Sequence, residues 1–137
     1  MAYAETIHVT RTSVLAMTAG AEMDRLIAKK VMGCRIKRHR SKLSGRWLYD
    51  LVIPGGVNEI DFVDPEGPWG ACPRYSTEIV TAWQVVNKLC TDGMWWQADG
   101  GRFNLPVKFK FSFGDEVEAD TIQLAICRAA LLTLCED

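Results

Sequence analysis

The sequence predicts an α+β fold: an antiparallel β-sheet of hairpins packed with three helices in an α/β layered sandwich. Three observations carry this. Apolar residues recur at three-to-four spacing in three separated stretches. The segments between them alternate with period two around glycine-rich turns. No βαβ unit opens on a phosphate-binding glycine loop, which argues against a doubly wound sheet. With 137 residues, the chain makes one domain spanning 1–137, too short for two independent cores.

The first predicted helix runs from Ser13 to Met32, with Ala16, Ala19, Met23, Leu26, Ile27 and Val31 on one face. Ser13 is its expected cap and Gly33 its end, while Gly20 weakens the middle. Cys34 to His39 reads as a charged edge strand. Trp47 to Ile53 alternates, with Trp47, Tyr49, Leu51 and Ile53 on one face, and turns at Pro54-Gly55-Gly56 into a returning strand, Val57 to Val63. Residues 34–64 thus form a basic hairpin excursion. Asp64 to Pro73 holds three prolines and two glycines, so it is expected to be an irregular exposed loop.

A second helix is expected from Ser76, with that hydroxyl as cap and Ile79, Trp83, Val86 and Cys90 inward. Trp95 to Ala98 reads as a strand and Asp99-Gly100-Gly101 as a turn. Val107 to Phe113 is the clearest strand, with Val107, Phe109, Phe111 and Phe113 inward. The last helix covers Asp120 to Glu136, capped by Asp120 or Thr121.

Charge is uneven. Between Lys29 and Arg46 lie eight basic residues and no acidic one, leaving the other eight basic residues to face all seventeen acidic ones. Such a patch attracts phosphate, nucleic acid or an acidic partner surface, or is simply solvated. No run reaches the ~20 apolar residues of a membrane span, and the N-terminus lacks a secretory pattern, so a cytoplasmic protein without a membrane partner is expected. Five cysteines with no CxxC pair, and two histidines away from them, give no expectation of a metal or cofactor.

Chemistry follows from the same residues. His8 and His39 sit in uninformative contexts, and the cluster Asp115, Glu116, Glu118 and Asp120 reads as complementing a helix N-terminus. No catalytic residue is assigned and no enzyme is expected. For binding, Trp69, Arg74, Tyr75, Ser76 and Thr77 combine an aromatic surface and a bidentate cation with a helix N-terminus able to accept an anion. Trp95 and Trp96 point to opposite strand faces, so either one ring can be core while the other is free to stack on a base or a partner, or both are buried under helices. Arg102 lies near them, and Arg128 in an apolar run must reach solvent, a carboxylate or a bound anion.

Three segments carry a family resemblance. They are Ala19-Gly20, Met23-Asp24, Leu26, Ala28 and Lys30 to Gly33; then Pro73 to Ile79, Ala82 to Val86 and Lys88-Leu89; then Ala119 to Thr121 and Leu124 to Leu131. Together these resemble the phage ABA sandwich domain family of small phage and prophage proteins. The segment from Arg35 to Asp64 has no counterpart in that pattern. The resemblance implies phage origin, a layered α/β fold and residence in the host bacterial cytoplasm, and it implies little chemistry. By analogy with compact phage proteins, the leading expectation is a non-enzymatic sponge, a homo-oligomer sequestering a small phosphorylated nucleotide-type immune signal (cyclic nucleotide or ADP-ribose type). The rival expectation is a protein-interaction module using exposed tryptophans and the basic hairpin. Nucleic acid ranks last, because only Trp47 and Tyr49 adjoin the basic run.

Overall fold

A computed structural model of the chain describes residues 10–54, 62, 64, 66–100 and 106–135. The architecture is an α+β sandwich. In chain order it contains α1 (Arg11–Ala16), α2 (Ala21–Lys30), β1 (Arg35–Arg40), β2 (Trp47–Val52), α3 (Ile79–Thr91), β3 (Trp96–Gly100), β4 (Val107–Phe111), β5 (Val117–Ala119) and α4 (Ile122–Leu132). The strands form two antiparallel sheets, β1-β2 and β3-β4-β5, instead of one.

The α4 helix is the hub. Its Ala125, Ile126, Cys127, Ala129, Ala130, Leu131 and Leu132 are buried, and it packs against α1, α2, α3, β4 and β5. Small residues on this helix let its neighbours approach closely, while Ile126 and Leu131 fill the gaps between them. Thr121 caps it by accepting from the Leu124 N–H at 3.2 Å.

The first expected helix is two helices. Residues Met17 to Gly20 break it, and Gly20 has φ 150°, ψ −167°, a region essentially reserved for glycine. Arg128 explains the break from the other side: its guanidinium donates to the Met17 carbonyl at 2.8 Å and to the Glu118 carbonyl at 3.0 Å. The cap of α1 is Thr10, in a reciprocal capping box with Ser13, so Ser13 lies one turn further in. Arg11 pairs with Asp115 and ties α1 to the turn before β5.

Other boundaries also shift. The segment after Asp64 is not wholly irregular, since Gly67–Ala71 forms a 3-10 turn with Pro68 buried at its start. The α3 helix begins at Ile79 behind Glu78, so Ser76 does not cap it. Asp99 and Gly100 belong to β3, not to a turn. β4 stops at Phe111, where Gly114 donates back to the Phe111 carbonyl at 3.0 Å. Phe113 therefore leaves the sheet and is 70% exposed instead of inward. Beyond it, β5 arises in a stretch read as an acidic loop: Val117 and Ala119 are buried while Glu118 faces out.

The basic hairpin pairs β1 with β2, Arg35 opposite Val52 through Arg40 opposite Trp47. Its connection is closed by Ser41 donating to the Arg46 carbonyl and by Gly45 at φ 71°. The expected return strand is represented by Phe62, bridged to Tyr49; most of residues 55–63 lie outside the described residues.

Candidate functional site

The site is built where α2, the base of the hairpin and the 3-10 turn meet. On α2, Met23, Leu26 and Ile27 are buried, which leaves Arg25 and Lys29, four residues apart, projecting from the same side. The 3-10 turn brings Trp69 beneath them: the Arg25 guanidinium stands 5.0 Å and the Lys29 ammonium 4.9 Å from its ring centroid. Both distances lie within the ~6 Å reach of a cation–π contact. Lys30, Arg35, Cys34, Ile36, Tyr49 and Glu66 complete a recess of about 450 Å³. Glu66 binds Arg25 at 2.9 Å. Among the described lining residues it is the single carboxylate against four cations.

A second recess of about 350 Å³ shares the Trp69 wall and is lined by Gly20, Ala21, Asp24, Gly70, Cys72, Arg74 and Thr77. Its floor is a polar pin. The buried Asp24 carboxylate accepts from the Ser76 backbone N–H at 2.8 Å and the Ser76 hydroxyl at 2.6 Å. Ser76 Oγ in turn accepts from the Gly20 N–H at 2.9 Å. These bonds lock the start of α2 to the segment entering α3.

The residues singled out in the sequence separate into distinct groups. Trp69, Arg74 and Thr77 line one recess. Arg74 is 74% exposed at its side chain and, among the described residues, pairs with Glu78 at 4.0 Å. Tyr75 is fully buried in the core and Ser76 is buried on Asp24, so neither presents its side chain to solvent. The Tyr75 hydroxyl faces the Cys34 thiol without the geometry of a full hydrogen bond.

Trp95 and Trp96 are both exposed, 54% and 42%, so neither is the core ring the alternation suggested. Trp96 nonetheless packs, stacked 5.5 Å from Phe109 and edge-on to Trp83 at 5.2 Å. Lys110 stands 5.5 Å from the Trp95 ring. Among the described residues, Arg128 donates through both terminal nitrogens to two backbone carbonyls and not to a carboxylate, while its buried Nε has no partner. Arg102 lies outside the described residues.

The sequence places Lys29, Lys30 and Arg35 in the basic run but does not show that Arg25 and Tyr49 join them around Trp69. The local signal was the Arg25–Lys29 spacing on a helix, but nothing local says that Trp69 lies beneath it. Among the described residues no group of three or more histidine, cysteine or acidic side chains is placed to hold a metal ion. His39, the described histidine, contacts Asp50 at 3.4 Å.

Burial sets the thiol chemistry. It pushes the Cys34 and Cys127 thiols up, and burial together with Asp24 raises Cys72 from 9.0 to about 12. The folded values lie above the unfolded one, so the associated stability is full below about pH 9 and is lost as pH rises from 9 towards 12. Melting temperature is therefore expected to fall above pH 9, and a flat profile to pH 11 would contradict this assignment. At neutral pH iodoacetamide is expected to modify exposed Cys90 well before buried Cys34 and Cys127, as peptide mass spectrometry would show.

No helix among the described residues is long and apolar enough to cross a membrane. No curated protein and no solved structure matches the chain. A family model does match, over residues 25–131, from the middle of α2 through all but the last residue of α4: the chain belongs to the Phage ABA sandwich domain family.

Proposed function

We propose that this phage-family protein is a non-enzymatic binding protein that sequesters a small phosphorylated ligand of nucleotide type, and so blunts a host defence signal in the bacterial cytoplasm. One observation carries the reading: four cations (Arg25, Lys29, Lys30 and Arg35) line a recess walled by Trp69, with Glu66 the single carboxylate among its described lining residues. Trp69 offers a face on which a base can stack. The cations now resting near that ring supply donors for phosphate, Arg25 and Arg35 in the bidentate geometry suited to it. Binding without turnover needs nothing more.

The test is a thermal shift screen with cyclic dinucleotides and ADP-ribose isomers, with inorganic phosphate alongside. At a concentration 100 times Kd a true ligand adds about 2.7 kcal/mol of stability. Trp69→Ala and Lys29→Glu are each expected to abolish that shift, since one removes the stacking face and the other reverses a charge. If no nucleotide raises the melting temperature, or if inorganic phosphate does so equally, the proposal fails. Native mass spectrometry of protein from expressing cells reports the retained ligand intact and, in the same spectrum, whether copies associate as the sponge reading expects.

A further inference from the structure

The register of the hairpin adds something that its composition alone does not show. Directly opposed residues share a face of a two-stranded sheet, so Ile36, Arg38 and Arg40 stand with Leu51, Tyr49 and Trp47. Burial decreases along this face. Leu51 is buried, Tyr49 half-buried, and Trp47 is 41% exposed beside the turn. The Arg38 guanidinium lies 4.5 Å and that of Arg40 5.1 Å from the Trp47 ring centroid. The hairpin's acidic residue, Asp50, pairs in register with Lys37 and contacts His39, on the opposite face. Among the described residues no carboxylate forms an ion pair with Arg38 or Arg40.

From this arrangement we infer that the β1-β2 face is a binding platform for single-stranded nucleic acid. Trp47 supplies a stacking surface, and Arg38 and Arg40 supply phosphate contacts and planar groups that also stack on bases. Leu51 is buried at the inner end, so the accessible stretch is the two residue steps from Tyr49 to Trp47, about 7 Å, room for about two nucleotides at the ~3.4 Å spacing of a stacked strand. A duplex fits this chemistry poorly, because its bases are already stacked on one another. The platform goes beyond the small-ligand reading and does not depend on it: Tyr49 and Ile36 border the recess around Trp69, but the binding groups Trp47, Arg38 and Arg40 lie outside its lining.

The experiment is fluorescence anisotropy of the full chain with a labelled oligothymidylate and a labelled oligouridylate, titrated between about 50 and 200 mM salt. Binding is expected to be tighter than to a duplex of equal length. Trp47→Ala is expected to weaken it on the order of tenfold. Arg38→Ala with Arg40→Ala is expected to reduce the slope of log affinity against log salt by about 1.4, two single-strand phosphate contacts. Trp95→Ala serves as the control, since it removes a more exposed indole beside a lysine of the other sheet, and it should leave this binding unchanged.

Trp47 and both arginines are exposed, so the variants are expected to melt with the native chain, which circular dichroism checks. Four results would overturn the inference: no binding at the lowest salt, equal affinity for duplex, indifference to Trp47→Ala, or equal loss in Trp95→Ala. Full competition by polyglutamate together with indifference to Trp47→Ala would instead mark the hairpin as a charge-only surface for an acidic protein.

Discussion

Asp24→Ala is expected to destabilise the protein by about 3–5 kcal/mol, because two hydrogen bonds to a buried charged acceptor disappear together. The Ser76 N–H is left buried without its partner, and the Ser76 hydroxyl loses the acceptor that fixes its rotamer. The Gly20 N–H bond to Ser76 Oγ weakens in turn, since that oxygen is no longer held in place. Urea unfolding should show a lower midpoint with an unchanged slope, the signature of lost stability without a change in exposed surface. Asp24→Asn keeps one acceptor oxygen and the side-chain volume, so it should lose distinctly less. Equal losses in the two variants would mean that packing, not the carboxylate, holds this joint.

Phe109→Ala should cost a similar amount, about 3–5 kcal/mol, by opening a cavity in the core. Phe109 has no exposed surface, lies parallel to Trp96 at 5.5 Å and meets Phe111 edge-on at 5.1 Å. Loss of the ring also removes the support on which Trp96 lies, and through Trp96 the edge contact with Trp83 on α3. The melting temperature is expected to drop by about 10–15 °C for a chain of this length. Near-ultraviolet circular dichroism should lose tryptophan signal in parallel. A melting shift with the tryptophan signal intact would separate the cavity from the stack and refute the coupling.

The sequence made some of this legible because the deciding forces were local. The alternation of Phe109 and Phe111 with Lys108 and Lys110 names a strand and its buried face without any neighbour. Gly33 ends the α2 region with φ 75°, as a residue lacking Cβ can, and Thr121 caps the last helix within its own turn. The failures share a cause at long range. The break at Met17 is held by Arg128, 111 positions away. Ser76 looks like a helix cap until Asp24, 52 positions away, takes both its donors.

The site was half legible for the same reason. The basic run is visible as composition, but periodicity cannot say that Arg25 joins it or that Trp69 faces it. Likewise the excursion's charges were plain, while the alignment of Arg38 and Arg40 with Trp47 depended on a strand register that a single sequence leaves open. Phe113 misleads because three alternating apolar residues invite a fourth, and only the turn closed by Gly114 cuts the strand short.

The fork of Arg128 also gives the joint between α1, β5 and α4 a particular chemical character. Its two acceptors are main-chain oxygens, present whatever side chain stands at those positions. The joint therefore hangs on one side chain alone: replacing Met17 or Glu118 leaves both acceptors in place, whereas replacing Arg128 removes both bonds at once.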